Sequence, residues 1–273
     1  MTPTCPVCRN DRFLQKSPNY WMCDACHLLS RRDTTVNPAQ WGDCWRNRET
    51  VEYYKTKTWD LRYALDIIER FDLPGKTLLD IGTGIGTLLR LAAERGFSAS
   101  GLELDASAVA TAKEVHGLDV WQGDLQTFAF TDSDRFAAIT LMNTLQVLDD
   151  LNGCLTKVRH LLQDDGLLLI QTNNLPSFRS RYGKALRLLN PASLLTAGLE
   201  RLDIADERVF EGVNYLFAVG NVRRLLNNNG YRVLNLHLLR SARVRFPNLE
   251  NRRLLTNYLQ TVCPKMVVVA RKA

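Results

Sequence analysis

The sequence predicts an α/β protein, a mostly parallel sheet with helices on both faces, preceded by a small module stapled by a metal. Three observations predict it. Short apolar runs alternate with amphipathic segments between Thr77 and Thr172, the pattern of strands joined by crossover helices. The first run ends in a turn with glycine at every second position, Gly82-Thr83-Gly84-Ile85-Gly86. Two C-x2-C pairs, Cys5/Cys8 and Cys23/Cys26, open the chain with 14 residues between them.

The cysteines come first in order. Paired thiolates at this spacing close a tetrahedral site around Zn²⁺, each pair forming one knuckle. Four thiolates leave no open position, so the metal's role is structural. In a cytosolic chain zinc is favoured over disulfides. His27 and Cys44 are potential substitute ligands, but both pairs are complete without them. A ribbon of residues 1–38, ended by Pro38, buries too little core to fold without the metal's contribution.

Residues 39–74 form an aromatic-rich linker and helix. Trp41, Trp45, Tyr53, Tyr54, Trp59 and Tyr63 are interleaved with Arg46, Arg48, Lys55 and Lys57. Such a stretch suits stacking on nucleic-acid bases. It equally suits a bridge that packs the ribbon on the next domain and covers a ligand pocket, which Glu49 and Glu52 favour by interrupting the basic run. Tyr63, Ala64, Ile67, Ile68 and Phe71 then make a helical stripe that stops at Pro74-Gly75.

A larger domain follows over residues 75–273. Thr77–Leu79 reads as a buried strand, the glycine turn follows it, and a helix runs from Leu88 through Ala93 to Gly96. Glycines let the turn be tight and let a ligand approach the backbone. A dinucleotide fingerprint needs a further glycine at 87, where Thr87 stands. The second strand, Ala99–Leu102, ends at Glu103, whose carboxylate is placed to accept from both hydroxyls of a ribose. Asp105 caps a helix over Ala106–Val115 that Gly117 ends. A third run, Asp119–Trp121, leads to Asp124. Phe136–Met142 is a fourth strand, Leu151–Leu162 a helix and Gly166–Thr172 a fifth strand. Ligands of such sheets bind beyond the carboxyl ends of the strands, where Asp80, Glu103 and Asp124 all lie.

From 174 to 213 the alternation stops, and an insertion of this length predicts a lid. Within it, 178–189 sets Phe178, Tyr182, Leu186 and Leu189 on one face beside Arg179, Arg181, Lys184 and Arg187. Such a helix can lie on an anionic membrane, close over an anionic substrate or simply pack as a lid. A helix over Asn221–Asn229 and strands over Tyr231–Leu239 and Lys265–Lys272 complete the domain, with a further helix expected over Leu249–Leu259.

Composition bounds the function classes. The hydrophobic fraction of 45% is ordinary for a protein with a real core. No apolar run approaches the roughly 20 residues that span a bilayer, and no signal peptide opens the chain, so a soluble cytoplasmic protein is expected. Residues 174–273 hold 17 Lys and Arg against 6 Asp and Glu, whereas residues 1–173 hold 18 against 23. The net charge of +6 is therefore a property of the C-terminal third, where an anionic substrate or a solvated face would account for it.

Asp80-Ile81-Gly82-Thr83-Gly84-Ile85-Gly86, Glu103 and Asp124, in this order and spacing, closely resemble the motifs of class I S-adenosylmethionine-dependent methyltransferases. The cysteine pairs and the run Asn214-Tyr215-Leu216-Phe217 extend the resemblance to bacterial members with an N-terminal zinc ribbon, similar to ubiquinone-biosynthesis O-methyltransferases and sugar C-methyltransferases. The resemblance implies a Rossmann-like, seven-stranded methyltransferase sheet with S-adenosylmethionine and a structural Zn²⁺. It places Gly82, Gly84 and Gly86 at the methionine moiety and ribose, Asp80 at the amino group, Glu103 at the ribose hydroxyls and Asp124 at the adenine amine. Thr83, Leu104, Leu125 and Asn143 complete the expected cofactor site. The subgroup's Glu-His pair after strand four is Gln146-Val147 here, and the histidine before Tyr-Leu-Phe is Asn214. Without an imidazole base, Tyr215, Tyr182 or Asn143 is left to orient the acceptor, and Tyr215 and Asn143 are the expected catalytic pair.

The expected reaction is methyl transfer, at oxygen, to a small or lipid-linked anionic acceptor of glycan or natural-product type. An RNA methyltransferase holding RNA with the ribbon and the basic C-terminal third is the alternative, although no Asn/Asp-Pro-Pro-Tyr/Phe motif follows strand four. A cofactor-binding scaffold without catalysis is a third reading.

Overall fold

The protein, seen in a computed structural model, is described over residues 4–31, 45–56, 58–174, 212–239, 245–246, 263 and 265–273. The lid expected over 174–213, apart from its two ends, lies outside the described residues, as do its segment 178–189, the helix expected over 249–259, and Cys44.

The N-terminal module is an antiparallel meander of β1 (Phe13–Gln15), β2 (Tyr20–Cys23) and β3 (Leu29–Arg31). Its fourth strand comes from far along the chain. Strand β9 (Tyr215–Leu216) pairs antiparallel with β3, Leu216 opposite Leu29 and Tyr215 opposite Ser30. Tyr20, Met22, Leu29 and Leu216 form its small core, and the Tyr20 hydroxyl donates to the Val213 carbonyl at 2.7 Å.

Two helices, α1 (Arg48–Thr56) and α2 (Trp59–Ile68), lead into the main sheet. Its strands are β4 (Thr77–Ile81), β5 (Ser98–Glu103), β6 (Trp121–Gln122), β7 (Phe136–Met142), β8 (Leu162–Asn173), β10 (Tyr231–Leu239), β11 (Arg245–Phe246) and β12 (Lys265–Lys272). They lie in the order β11-β10-β12-β8-β7-β4-β5-β6. Strands β4 to β8 are mutually parallel and β12 runs antiparallel between β8 and β10. This is the expected seven-stranded α/β sheet, with β11 as a two-residue addition to its edge. The third strand is shorter than the apolar run suggests, because only Trp121 and Gln122 pair with β5.

Burial explains the arrangement. All seven residues of β7 are buried, as an interior strand covered on both faces requires. On one face lie α2, α3 (Thr87–Ala93) and α4 (Ala106–His116). On the other lie α5 (Leu151–Leu161), α6 (Val219–Asn228) and the ribbon. Asp105 caps α4 by accepting from the Ser107 N–H at 2.7 Å, and Gly117 ends it in the left-handed region.

The ribbon is fastened by three asparagines of the larger domain. Asn152 donates to the Pro6 carbonyl at 3.1 Å, Asn228 to Val7 at 2.8 Å and Asn221 to Cys26 at 2.8 Å. Each satisfies a backbone group of a knuckle that has no strand to pair with. Among the described residues, no helix is long and apolar enough to cross a membrane.

Candidate cofactor site and metal centre

Gly82, Gly84 and Gly86 adopt φ of +72°, +56° and +76°, the left-handed region that penalises a Cβ. Space adds a second constraint. A Cβ at Gly82 would collide with the Thr144 hydroxyl, and one at Gly86 would lie 2.7 Å from Leu118 Cδ1. The turn is clamped to the end of β5, since the Gly82 and Thr83 N–H groups donate to the Leu102 carbonyl at 2.8 and 3.3 Å. The Thr144 hydroxyl donates to the Ile81 carbonyl at 2.9 Å and holds the turn from the other side.

Glu103 joins the two strand ends. One carboxylate oxygen accepts from the Gly84 N–H at 2.7 Å and the other from the Asp105 N–H at 3.0 Å. Burial pushes its carboxyl above the usual range, while these N–H groups pull it back. Each carboxylate oxygen has more than one acceptor site, so the clamp leaves capacity for hydroxyl donors. Asp80, at the end of β4, is 2% exposed and accepts from the Thr140 hydroxyl at 2.7 Å. Burial raises its pKa to about 7, against the lowering effect of the Thr140 hydrogen bond and with the Glu103 charge adding to the rise.

The remaining expected residues line the same edge. Asp124 is exposed just beyond β6, one oxygen accepting from the Gln126 N–H at 2.7 Å, beside buried Leu125. Leu104 is half-buried after Glu103. Asn143 follows β7, exposed, at a φ of +61° that only a few non-glycine residues tolerate. Trp45 reaches over the turn, since a Cβ on Gly84 would lie 3.3 Å from its ring.

Where the resemblance leads one to expect imidazole, this chain carries amides, Gln146 and Asn214. Gln146 is buried and accepts from the Thr172 hydroxyl at 2.8 Å. The Asn214 side-chain amide donates to the Val147 carbonyl at 2.9 Å, while the Asn214 backbone carbonyl accepts from the Arg31 N–H of the ribbon at 2.8 Å. The Tyr215 hydroxyl donates to the Asp149 carbonyl at 2.9 Å. His237 is buried in β10, its Nδ1 3.0 Å from the Tyr63 hydroxyl, and burial pushes its pKa down to about 4. His160 is exposed on α5 and His116 is half-buried at the end of α4.

Cys5, Cys8, Cys23 and Cys26 bring their sulfurs within 4.8 Å of one another. The two knuckles repeat each other. Arg9 follows one pair at φ +62° and His27 follows the other at φ +58°, and each donates its N–H back to the first cysteine's carbonyl at 2.9 Å. His27 is not part of the sulfur cluster. Four converging thiols with no disulfide among them suit a tetrahedral metal with sulfur ligands.

Thr140, Thr144 and the three ribbon asparagines escape sequence reasoning. The one available signal for Thr140 is a hydroxyl residue within an otherwise apolar strand.

Comparison with known proteins gives the family of the chain. Residues 52–236 match a protein family described as a methyltransferase domain. Among curated proteins, the ubiquinone biosynthesis O-methyltransferase of Glaesserella parasuis serovar 5 (strain SH0165) is 31% identical over 109 residues, 37% of this chain and 46% of that protein. Its counterpart from Pseudomonas paraeruginosa (strain DSM 24068 / PA7) is 29% identical over 114 residues, 40% of this chain and 49% of that protein. The chain thus spans about half the length of the curated relatives it matches. A solved methyltransferase in complex with the Haloferax volcanii Trm112 methyltransferase activator superposes with a TM-score of 0.57 at 16% identity, covering 87% of this chain and 98% of that one. An S-adenosylmethionine-dependent methyltransferase from Mesorhizobium loti gives a TM-score of 0.52 at 19% identity, covering 78% and 96%. At these identities the structural likeness concerns the fold.

Proposed function

The chain belongs to this methyltransferase domain family, and on that premise we propose that it transfers a methyl group from S-adenosylmethionine to an anionic acceptor, at oxygen. The acceptor is a small or lipid-linked compound of glycan or natural-product type. The observation that carries the reading is Glu103, clamped between two backbone N–H groups at the mouth of three left-handed glycines. The cofactor, when bound, supplies an electrophilic methyl group on a sulfonium.

The chain's own residues do the rest. Glu103 would accept from the ribose hydroxyls, Asp80 would orient the amino group and Asp124 would take the adenine amine, with Leu104 and Leu125 as the neighbouring apolar contacts. Gly82, Thr83, Gly84 and Gly86 would let the ligand lie against the backbone, and Asn143 would serve both the cofactor and the acceptor. An ionised acceptor oxygen carries no proton to remove, which suits an edge built from Gln146 and Asn214 rather than imidazole. Holding the acceptor in line then supplies the acceleration. The four cysteines hold Zn²⁺, and a site of thiolate ligands in place of disulfides suits a reducing compartment such as the cytoplasm. Calorimetry with S-adenosylhomocysteine and a labelled-methyl screen over carboxylate and hydroxyl metabolites test the proposal. No binding of the nucleoside, or transfer only to neutral acceptors, refutes it.

Asp80 makes the binding pH-dependent. Its carboxyl is protonated below about 7 and ionised above. A ligand ammonium favours the ionised form, so binding expels the proton and strengthens as pH rises through that value. Affinity for S-adenosylhomocysteine is expected to be about tenfold higher near pH 8 than near pH 6, and the profile to flatten in Asp80→Asn. Calorimetry in buffers of different ionisation enthalpy counts the proton.

Tyr215 acts through position, its hydroxyl tying β9 to the Asp149 carbonyl. Tyr215→Phe is expected to cost about 1 kcal/mol of stability and to leave methyl transfer within a few-fold of the wild type. A loss of transfer beyond about a hundredfold would put the hydroxyl on the acceptor instead.

A further inference from the structure

A second polar cluster sits at the same edge of the sheet, on the far side of Asn143 from the glycine turn. Asp60, in the first turn of α2, is 6% exposed. Its Oδ2 accepts from Lys265 Nζ at 2.9 Å and from Gln171 Nε2 at 3.3 Å. Gln171, on β8 opposite Met142, is fully buried, and the same amide nitrogen lies 3.4 Å from Asn143 Oδ1. The other Gln171 atom, Oε1, is buried without a partner among the described residues. Asn143, Gln171, Asp60 and Lys265 therefore form one continuous chain of polar contacts running away from the proposed methyl donor.

The ion pair is costly where it stands. Two charges taken out of water are often outdone in stability by well-packed apolar residues, so the pair adds little to the fold by itself. It fixes an ammonium at the mouth of the sheet. Lys265 is the first residue of β12 and its side chain is 23% exposed, so the group borders solvent while its partner is buried. An ammonium has three donors. Asp60 takes one, and among the described residues no other hydrogen-bond acceptor meets it. Its charge also lies 5.7 Å from the half-buried Trp59 ring, and the Arg245 guanidinium stands 5.9 Å from the same ring and 4.3 Å from Tyr63. Two cations, an indole and a pair of amides thus lie together at this edge of the sheet, beside exposed Asn143.

We propose that this cluster is the acceptor subsite, and that Lys265, fixed by Asp60, binds the anionic oxygen group of a carboxylate-bearing acceptor against Trp59. The inference rests on the methyl-transfer reading and gives its acceptor a place. Lys265 touches the acceptor, whereas Asp60 and Gln171 are positioning residues that aim Lys265 and Asn143. This geometry also accounts for the missing imidazole, because a charge that steadies an ionised oxygen replaces a base that would create one.

The test uses the full chain, saturated with S-adenosylhomocysteine, with benzoate as probe and benzamide as its neutral control. Binding is read by saturation-transfer NMR and calorimetry. Benzoate is expected to bind and benzamide not, with benzoate affinity falling roughly tenfold or more in Lys265→Gln and partly recovering in Lys265→Arg. Because Lys265→Gln strands a buried carboxylate, the double variant Asp60→Asn/Lys265→Gln removes both charges together, and the same loss is expected there. Benzoate affinity unchanged in the double variant, or equal binding of benzamide, overturns the proposal. Nucleoside affinity measured in the same samples separates the two claims. Unchanged nucleoside binding with lost benzoate binding supports the subsite, whereas no nucleoside binding to the wild type overturns the methyl-transfer reading and the acceptor subsite with it.

Discussion

Glu103→Ala is expected to weaken S-adenosylhomocysteine binding by about a hundredfold while leaving the protein folded. The carboxylate has two tasks at once. It holds the Gly84 and Asp105 N–H groups, at 2.7 and 3.0 Å, and it faces the hydroxyls of the ligand's ribose in the proposed complex. Hydrogen bonds to a charged group are each worth about 1.5–3 kcal/mol, and losing two at the lower end of that range, about 3 kcal/mol for this partly exposed carboxylate, gives roughly the stated factor. The cost to the fold is smaller. Glu103 is only partly buried and both N–H groups can turn to water once the carboxylate is gone, so stability should fall by about 1–2 kcal/mol. Glu103→Gln keeps one acceptor oxygen without the charge and should fall between the two. Calorimetry and urea denaturation on the same preparations separate affinity from stability. Wild-type affinity in Glu103→Ala would remove the proposed cofactor site.

The second large effect concerns the metal. Metal analysis is expected to find one zinc per chain, and Cys5→Ser combined with Cys23→Ser to lose it. The consequence should not stay local. With about 28 described residues around the sulfurs, the ribbon is expected to depend on its proposed metal for folding, since structural zinc sites supply such energy outright. Its loss takes β3 from β9 and frees the carbonyls that Asn152, Asn221 and Asn228 hold. Asn214 connects that damage to the Val147 carbonyl, the Val147 N–H closes a turn on the Thr144 carbonyl at 3.0 Å, and the Thr144 hydroxyl holds the Ile81 carbonyl just before the first glycine. A loss of about 3–5 kcal/mol is expected, which lowers the melting temperature of the whole protein by roughly 10 °C. Nucleoside affinity should fall several-fold as well. A ribbon that merely hangs from the chain would leave the main transition in place, and calorimetric melting distinguishes the two.

The parts legible in the sequence are those whose cause is local. Strand β7 could be read from an unbroken apolar run, the cap of α4 from Asp105, and the close of that helix from Gly117. The glycine turn and the cysteine pairs were visible for the same reason, since their chemistry is set by neighbours a few residues away. What stayed hidden is pairing across distance. Thr140 reaches Asp80 across 60 residues, Asn228 reaches Val7 across 221, and Lys265 reaches Asp60 across 205. Each of these residues reads alone as an ordinary polar side chain. Periodicity shows that a position is buried or exposed, and not which distant atom it meets. Tyr215 illustrates the limit best. The absence of imidazole nearby offered its hydroxyl as a group to orient the acceptor, but nothing local in the sequence announced that it also pairs with the ribbon and donates to the Asp149 carbonyl.

That last strand sets an order of events at the ribosome. Residues 29–31 leave the exit tunnel early, while their partners at 215 and 216 follow only after most of the main sheet has been made. Metal can be captured at once by cysteines that are all in the first 26 residues, but the sheet they support keeps an open edge for the length of that synthesis. Closing a contact over so long a loop is slow, and it comes after the local pairings that need no such closure. With its proposed metal in place, the ribbon is therefore expected to take shape before the main sheet and to be completed only after most of that sheet is made.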